Sequence, residues 1–437
     1  MVDSTDRRHS PVGNGNCRSG TRSTSIILCL FLISSLADTE ARVPSFVSQT
    51  NPALPFTDPT PTDFKRYDGE NLNFRGLSGR LTLSNDIEFN DNITLSDADP
   101  EVDTAFGIQL GAGFDWRITE SNSLQFNFGL GYRYWLNNNS VGSFSIAPDS
   151  SFMYKMWFKN IQLTLTDFFT VSNDAVDFGS ISGQDGSPIN FHRISNTVGL
   201  SANVAMIRDM SMVLGYYYTL DRSISDEFTE LDRDDFTLSA ALTYDLMANM
   251  SVGVSTAYTL TRYLEDLQND GETISIGPVF TWDISPYITL SGGASYTIND
   301  FDDNGTITDQ SSFDGITYFG TINHALTQKI NHRLRMGKSI GVGFGTNYSE
   351  NFTLQYNIDR TILTGLTLNC SFSYENIQAS GNPSETSNRY LFYLGTGYNI
   401  NTEWSLGIGY TFAIKGSDLA DRDYKQNRFT LFSSFNF

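Results

Sequence analysis

The stretch LQFNFGLGYRYWL, Leu124 to Leu136, alternates without a break. Leu124, Phe126, Phe128, Leu130, Tyr132 and Tyr134 fall on one side, and Gln125, Asn127, Gly129, Gly131 and Arg133 on the other. Successive side chains of a strand point to opposite faces, so this is a strand with one apolar and one polar face. The pattern recurs along the chain. EWSLGIGYTFAI (403–414) sets Trp404, Leu406, Ile408, Tyr410 and Phe412 against Ser405, Gly407, Gly409 and Thr411. RFTLFSSFNF (428–437) sets Phe429, Leu431, Phe435 and Phe437 against Arg428, Thr430, Ser434 and Asn436.

The connections alternate in length as regularly as the side chains alternate in polarity. Short ones include RITESNS (117–123), FKN (158–160), IRDM (207–210), DLMAN (245–249), DISPY (283–287) and NINTE (399–403). Between them lie long polar loops such as NDIEFNDNITLSDADPEVD and DRSISDEFTELDRDD. Short turns at one end and long loops at the other describe an all-β, transmembrane, up-and-down antiparallel β-barrel over 74–437. Parsing the alternating segments gives about 18 strands. Pro148 interrupts the segment 143–158, and a break there would change the number to 16 or 20. Trp116, Tyr244, Trp282, Tyr287, Tyr398 and Trp404 sit near the short-turn ends, as an interfacial aromatic girdle requires. A soluble β-sandwich also alternates, but it needs a second buried layer that this pattern does not supply.

Composition agrees. The 437 residues include 32 Phe, 21 Tyr and 36 Gly, and the net charge is -21. A chain this acidic lacks the basic face that nucleic acid demands, so no nucleic-acid partner is expected. Arg7, Arg8, Arg18 and Arg22 precede the apolar run SIILCLFLISSLA and small residues at Ser35 and Ala37, so residues 1–37 read as an export signal. Residues 38–73 read as a proline-rich periplasmic lead-in. Export followed by barrel insertion places the protein in the outer membrane of a Gram-negative-type bacterium, among phospholipid and lipopolysaccharide. Of three cysteines, Cys17 and Cys29 leave with the signal, so Cys370 has no partner for an intramolecular disulfide.

With the apolar face toward lipid, the polar face lines a lumen. Its basic residues are Arg80, Arg133, Lys155, Arg193, Arg333, Arg335 and Arg428, with Asp115 and Asp359 the acidic ones and both near the short turns. A charge on the lipid face at mid-membrane costs roughly 2–4 kcal/mol, which turns these cations inward. A positive ring favours anions. Most acidic residues are assigned to the long loops, with Asp86, Glu88, Asp91, Asp97, Asp99, Glu101 and Asp103 in the first. Asp300, Asp302 and Asn304 have the D-x-D-x-N-G spacing of a calcium loop but lack the closing glutamate, since Ser311 stands there. No other cofactor is expected. The histidines beyond the leader are His192, His324 and His332, too few and too dispersed for hydrolase chemistry, so no enzyme is expected. His324 and His332 face each other across the turn at 327–329, as a polar anchor or a metal pair.

Three stretches, RISNTVGLSANVAMIRDMSMVLGYYY, GITYFGTINHALTQKINHRLRMGKS and DRDYKQNRFTLFSSFNF, together resemble the β-barrel porin type 2 family over about Phe158 to Phe437. That resemblance implies an outer-membrane barrel, some of whose relatives accompany exopolysaccharide machinery. Phe435 and Phe437 are similar to the terminal aromatic pair read by the barrel assembly machinery, with Phe432 where a small residue is usual. The expected function is a channel or porin passing small or anionic solutes, saccharides or exported polysaccharide among them. The alternative is a non-conducting structural or surface-interaction barrel whose acidic loops are the working part.

Overall fold

The computed structural model describes residues 72–74, 76–138, 143–172, 192–224, 228–343, 345–381 and 384–437. The expected export signal and nearly all of the lead-in lie outside them. The strands are β1 (Leu72–Phe74), β2 (Leu77–Asn90), β3 (Asp103–Thr119), β4 (Asn122–Trp135), β5 (Ser143–Ile146), β6 (Ser151–Phe158) and β7 (Ile161–Ser172). Next come β8 (Arg193–Ile207), β9 (Met210–Ser223), β10 (Arg233–Met247), β11 (Met250–Tyr263), β12 (Gly271–Ser285), β13 (Ile288–Phe301) and β14 (Phe313–Thr327). The last six are β15 (Ile330–Val342), β16 (Tyr348–Leu363), β17 (Leu366–Ala379), β18 (Thr386–Asn399), β19 (Trp404–Ser417) and β20 (Tyr424–Asn436).

Each long strand pairs antiparallel with the next, and β2 pairs with β20 from Thr82↔Asn436 to Asn90↔Arg428. The sheet therefore closes on itself. Its 20 elements make an 18-strand barrel, because β5 and β6 share the slot between β4 and β7 and β1 is only a short arm on β2. The interruption falls at Pro148, as the sequence suggested, but it bends one strand rather than adding two. There Gly129 keeps its backbone satisfied through Ala147 N donating to its carbonyl at 2.9 Å and its own N–H donating to Ser150 Oγ at 3.1 Å.

Register fixes which way every side chain points. The pair Leu110↔Leu130 and its neighbours place Phe106, Ile108, Leu124 and Tyr132 outward, and Gln109, Asn127 and Arg133 inward. Outward apolar residues are exposed on nearly every strand, from Leu81 through Leu431, and the aromatic residues expected at the short-turn end lie among them. Phe435 and Phe437 also face outward, with ring centroids 4.9 Å apart and Trp404 6.2 Å from Phe435. Phe432 points inward over Gly407, where an added Cβ would lie 2.0 Å from its ring. One boundary was misplaced by reading alone. Residues 85–90, read above as the start of the first long loop, continue β2, which runs from Leu77 to Asn90. Its outer half carries Asp86 and Glu88 on the inward face, and two carboxylates in six residues read as loop.

Gly407→Val should force Phe432 from its bed and cost about 1–3 kcal/mol, the usual penalty of overpacking. In SDS gels the compact, unheated band should convert to the extended one at a lower temperature than in the parent protein.

Candidate functional site

The candidate site is the inward face. Serine, threonine and glycine dominate it because the inner positions of each strand carry small polar residues, as in Thr273, Ser275 and Gly277 of β12. Charges are set into this lining at two levels.

Toward the long loops, the inward cations are matched by carboxylates. Arg133 contacts Asp86 at 3.3 Å and Glu88 at 2.9 Å. Arg193, only 4% exposed, contacts Asp221 at 2.8 Å and Asp232 at 3.2 Å, and donates to the Phe228 and Leu231 carbonyls at 3.1 and 3.0 Å. Arg193 thus clamps the loop that carries the 3-10 turn Thr229–Leu231. Arg233 pairs with Asp221 and Asp235, Arg389 with Glu375, and both Lys415 and Arg422 with Glu385. The expectation that the interior is poor in acidic residues is therefore corrected. Asp86, Glu88, Asp221, Asp235 and Glu375 all face inward, since burying an arginine in a wall requires a partner for its charge.

Toward the short turns the balance changes. Arg80, Lys155, Arg333 and Arg335 face inward, and among the described residues none has a carboxylate within ion-pair distance. Arg333 Nε donates to Asn323 Oδ1 at 2.9 Å, a neutral partner. At the rim itself Asp115, Asp245, Asp283 and Asp359 face inward beneath these cations, Asp245 accepting from Ser251 and Asp283 from Thr289. Arg428 also faces inward, between Asn90 and Thr411. Of the seven basic residues expected in the lumen, Arg133 and Arg193 face inward within ion pairs, Arg80, Lys155, Arg333 and Arg335 face inward without them among the described residues, and Arg428 faces inward between Asn90 and Thr411.

In the first long loop Asp97 and Asp99 are exposed, but Asn92 to Leu95 are buried along the inner wall. Leu95 packs with Leu391, Ala413 and Tyr424, and Ile93 with Ala105 and Trp135. Gln426 Nε2 donates to the Asn92 carbonyl at 2.7 Å. The isolated apolar pair Ile93 and Leu95 amid acidic residues was the only sequence signal of this docking. The acidic loop before β10 is likewise held down, Asp232 by Arg193 and Asp234 by Arg222; Asp226 and Glu227 lie outside the described residues.

Asp302 lies 3.6 Å from Arg262, and Asn304 Nδ2 donates to Asp270 Oδ2 at 3.0 Å, so the proposed calcium loop presents its side chains to protein partners. Asp300 stands opposite Glu272 on β12. His324 and His332 are register partners with ring centroids 5.9 Å apart, on the outward face, and His332 Nδ1 lies 2.5 Å from Tyr356 Oη. A cavity of about 740 Å³ opens at the rim of β18 to β20, lined by Asp97, Asn388, Asp418, Asp423 and Lys425.

Asp309 anchors the loop between β13 and β14. It accepts from Asn347 N at 2.8 Å, Ser380 Oγ at 2.6 Å and Ser311 N at 2.9 Å. Burial pushes its carboxyl up, but these donors outweigh burial and hold it below the usual carboxylate range.

No protein-family model and no curated protein sequence matches the chain. Solved structures that it is similar to include Pseudomonas aeruginosa OccK5 (OpdH), at 13% identity and a TM-score of 0.46, covering 82% of this chain and 98% of that one. The P. aeruginosa outer membrane protein OpdK follows at 10% and 0.46, covering 82% and 99%, and Acinetobacter baumannii OccAB3 at 12% and 0.46, covering 83% and 99%. Likenesses this remote carry no inference about solute or role.

A carboxyl with a lowered native pKa stabilises above its unfolded value and loses that contribution as pH falls through the native one. The Asp309 loop should therefore be protected from hydrogen exchange at pH 7 and open under acid. Asp309→Asn should open it at pH 7 at a cost of about 1–3 kcal/mol and remove this group's pH dependence.

Proposed function

We propose that the protein is an outer-membrane channel for small anionic solutes. Its outward apolar band with aromatic residues at the short-turn end suits bilayer hydrocarbon and its interface. Closure through β2 and β20 satisfies the backbone without a hydrophobic core, which leaves the inside free to be polar. The observation that carries the reading is the group Arg80, Lys155, Arg333 and Arg335, cations without carboxylate partners in a wall whose other level is matched in charge. Lys155 on β6 and the two arginines on β15 stand half a circuit apart in strand order, so they address the lumen from opposite sides. Positive residues lining a pore favour anions. Anionic saccharides belong to this solute class; their choice over other anions rests on the family resemblance alone.

One observation favours a closed structural barrel instead: the first loop packs along the inner wall near β18 to β20. Stepwise current in planar bilayers separates the two, and its absence would leave the closed barrel standing.

Replacing Arg333 and Arg335 by glutamate changes the wall charge by four units. At about 10 Å in water each unit is worth about 0.4 kcal/mol to a monovalent ion, so anion occupancy beside these residues should fall about fifteenfold before salt screening. Reversal potentials in a salt gradient should move toward cations; an unmoved potential rules these two residues out.

A further inference from the structure

The seam between β14 and β15 is paired over only part of its length. β14 and β15 pair from Thr327↔Ile330 up to Tyr318↔Lys338 and no further. Both strands continue beyond that point. β14 stays paired with β13 as far as Phe313, and β15 stays paired with β16 as far as Val342. Extending the register would join Thr317 to Ser339, Ile316 to Ile340 and Gly315 to Gly341, yet none of these pairs forms. By contrast, β15 and β16 remain zipped to the ends of their shared length.

The residues that flank the opening differ by side. Ile316 and Ile340 lie on the outward face, and Ile316 is 61% exposed. Facing inward are Gly315 and Thr317 on one edge and Gly337, Ser339 and Gly341 on the other. The inward face of β15 therefore reads Arg333, Arg335, Gly337, Ser339, Gly341. Two guanidinium groups without carboxylate partners lead along one strand into a slot of small residues with an apolar outer lip. From Arg335 to Ser339 the backbone climbs about 13 Å. Tyr348 stacks on Phe301 and Phe313 at centroid distances of 6.1 and 5.8 Å. Lys338 reaches across the seam, its Nζ 5.5 Å from the Phe313 ring and 2.5 Å from Glu350. The slot is plugged by side chains rather than by paired backbone.

We infer that this seam binds an amphipathic anion, with its charged head on Arg333 and Arg335 and its alkyl chain displacing the Tyr348 plug to lie between β14 and β15. The inference rests on the channel reading above and narrows its solute class. It accounts for three features that a plain anion pore leaves separate: the unpaired edges, the apolar lip and the position of both arginines on the strand that forms one edge. A chain lying in the slot covers the two isoleucines, while its head stays in the polar lumen.

The test compares block of chloride current by decyl sulfate and methyl sulfate in planar bilayers. In the parent protein decyl sulfate should block at a concentration at least tenfold lower. Ser339→Trp, which fills the slot, should abolish this difference while leaving chloride conductance and block by methyl sulfate unchanged. A disulfide formed between Thr317→Cys and Ser339→Cys should do the same and be reversed by reductant, and Tyr348→Ala should strengthen block by decyl sulfate alone. Equal potency of the two sulfates in the parent protein, or a chain-length preference that survives both seam variants, overturns the inference while leaving the anion channel intact. A barrel without chloride conductance overturns the channel reading, and the seam site with it.

Discussion

The structure depends on one constraint: backbone amides and carbonyls set in hydrocarbon have no water to turn to. A sheet with free edges fails there, and the pairing of β2 with β20 removes the two terminal edges, leaving β14 and β15 unpaired above Lys338. Once the ring closes, the sheet needs no second layer, and the usual rule of apolar residues inside is inverted. Exposed Leu, Ile and Phe on the outer face are then the solvated residues, with acyl chain as the solvent. The inner face is released from packing duties and can carry water, charge or a folded loop. That is why serine, threonine and glycine occupy it, and why aromatic rings on it, such as Phe432, lie flat against glycine rather than forming a core.

The same constraint makes charge placement informative. An arginine on the inner wall is desolvated by its neighbours and is tolerated when a carboxylate balances it. Arg193, Arg233 and Arg389 follow that rule and staple adjacent strands and loops at the outer level. Arg333 and Arg335 do not follow it. They stand two residues apart on one face, and Arg333 donates to the neutral Asn323. Arginines that staple the wall and those without a carboxylate partner thus separate by their partners rather than by burial or sequence spacing. Proximity of the second kind to the partly unpaired β14–β15 seam joins the electrostatic and topological irregularities in a single strand, β15.

Much of this was legible in residues 124–136 alone, since period-two alternation needs no tertiary information to be read. The alternation of short and long connections gave the up-and-down order, and counting segments gave the strand number. Where the reading went astray, polarity was the cause. DIEFN looked like loop because Asp86 and Glu88 are charged, although both occupy inward positions of β2 and face Arg133 from a strand not adjacent to theirs. NITL looked like loop too, and is one, but its two apolar side chains dock on the wall.

By itself, the sequence determined the faces: which side of each strand meets lipid and which lines the interior, because that follows from chemistry repeated every second residue. It also determined the ends, through turn length and the aromatic residues beside the short turns. Only the tertiary structure decided which inward cations are balanced, that Pro148 bends a strand without splitting the count, and that β14 and β15 part above Lys338. The physical reason is that alternation is a local property of one strand. Ion pairing, loop docking and register between neighbours depend on residues far apart in the chain, which meet only when the sheet has closed.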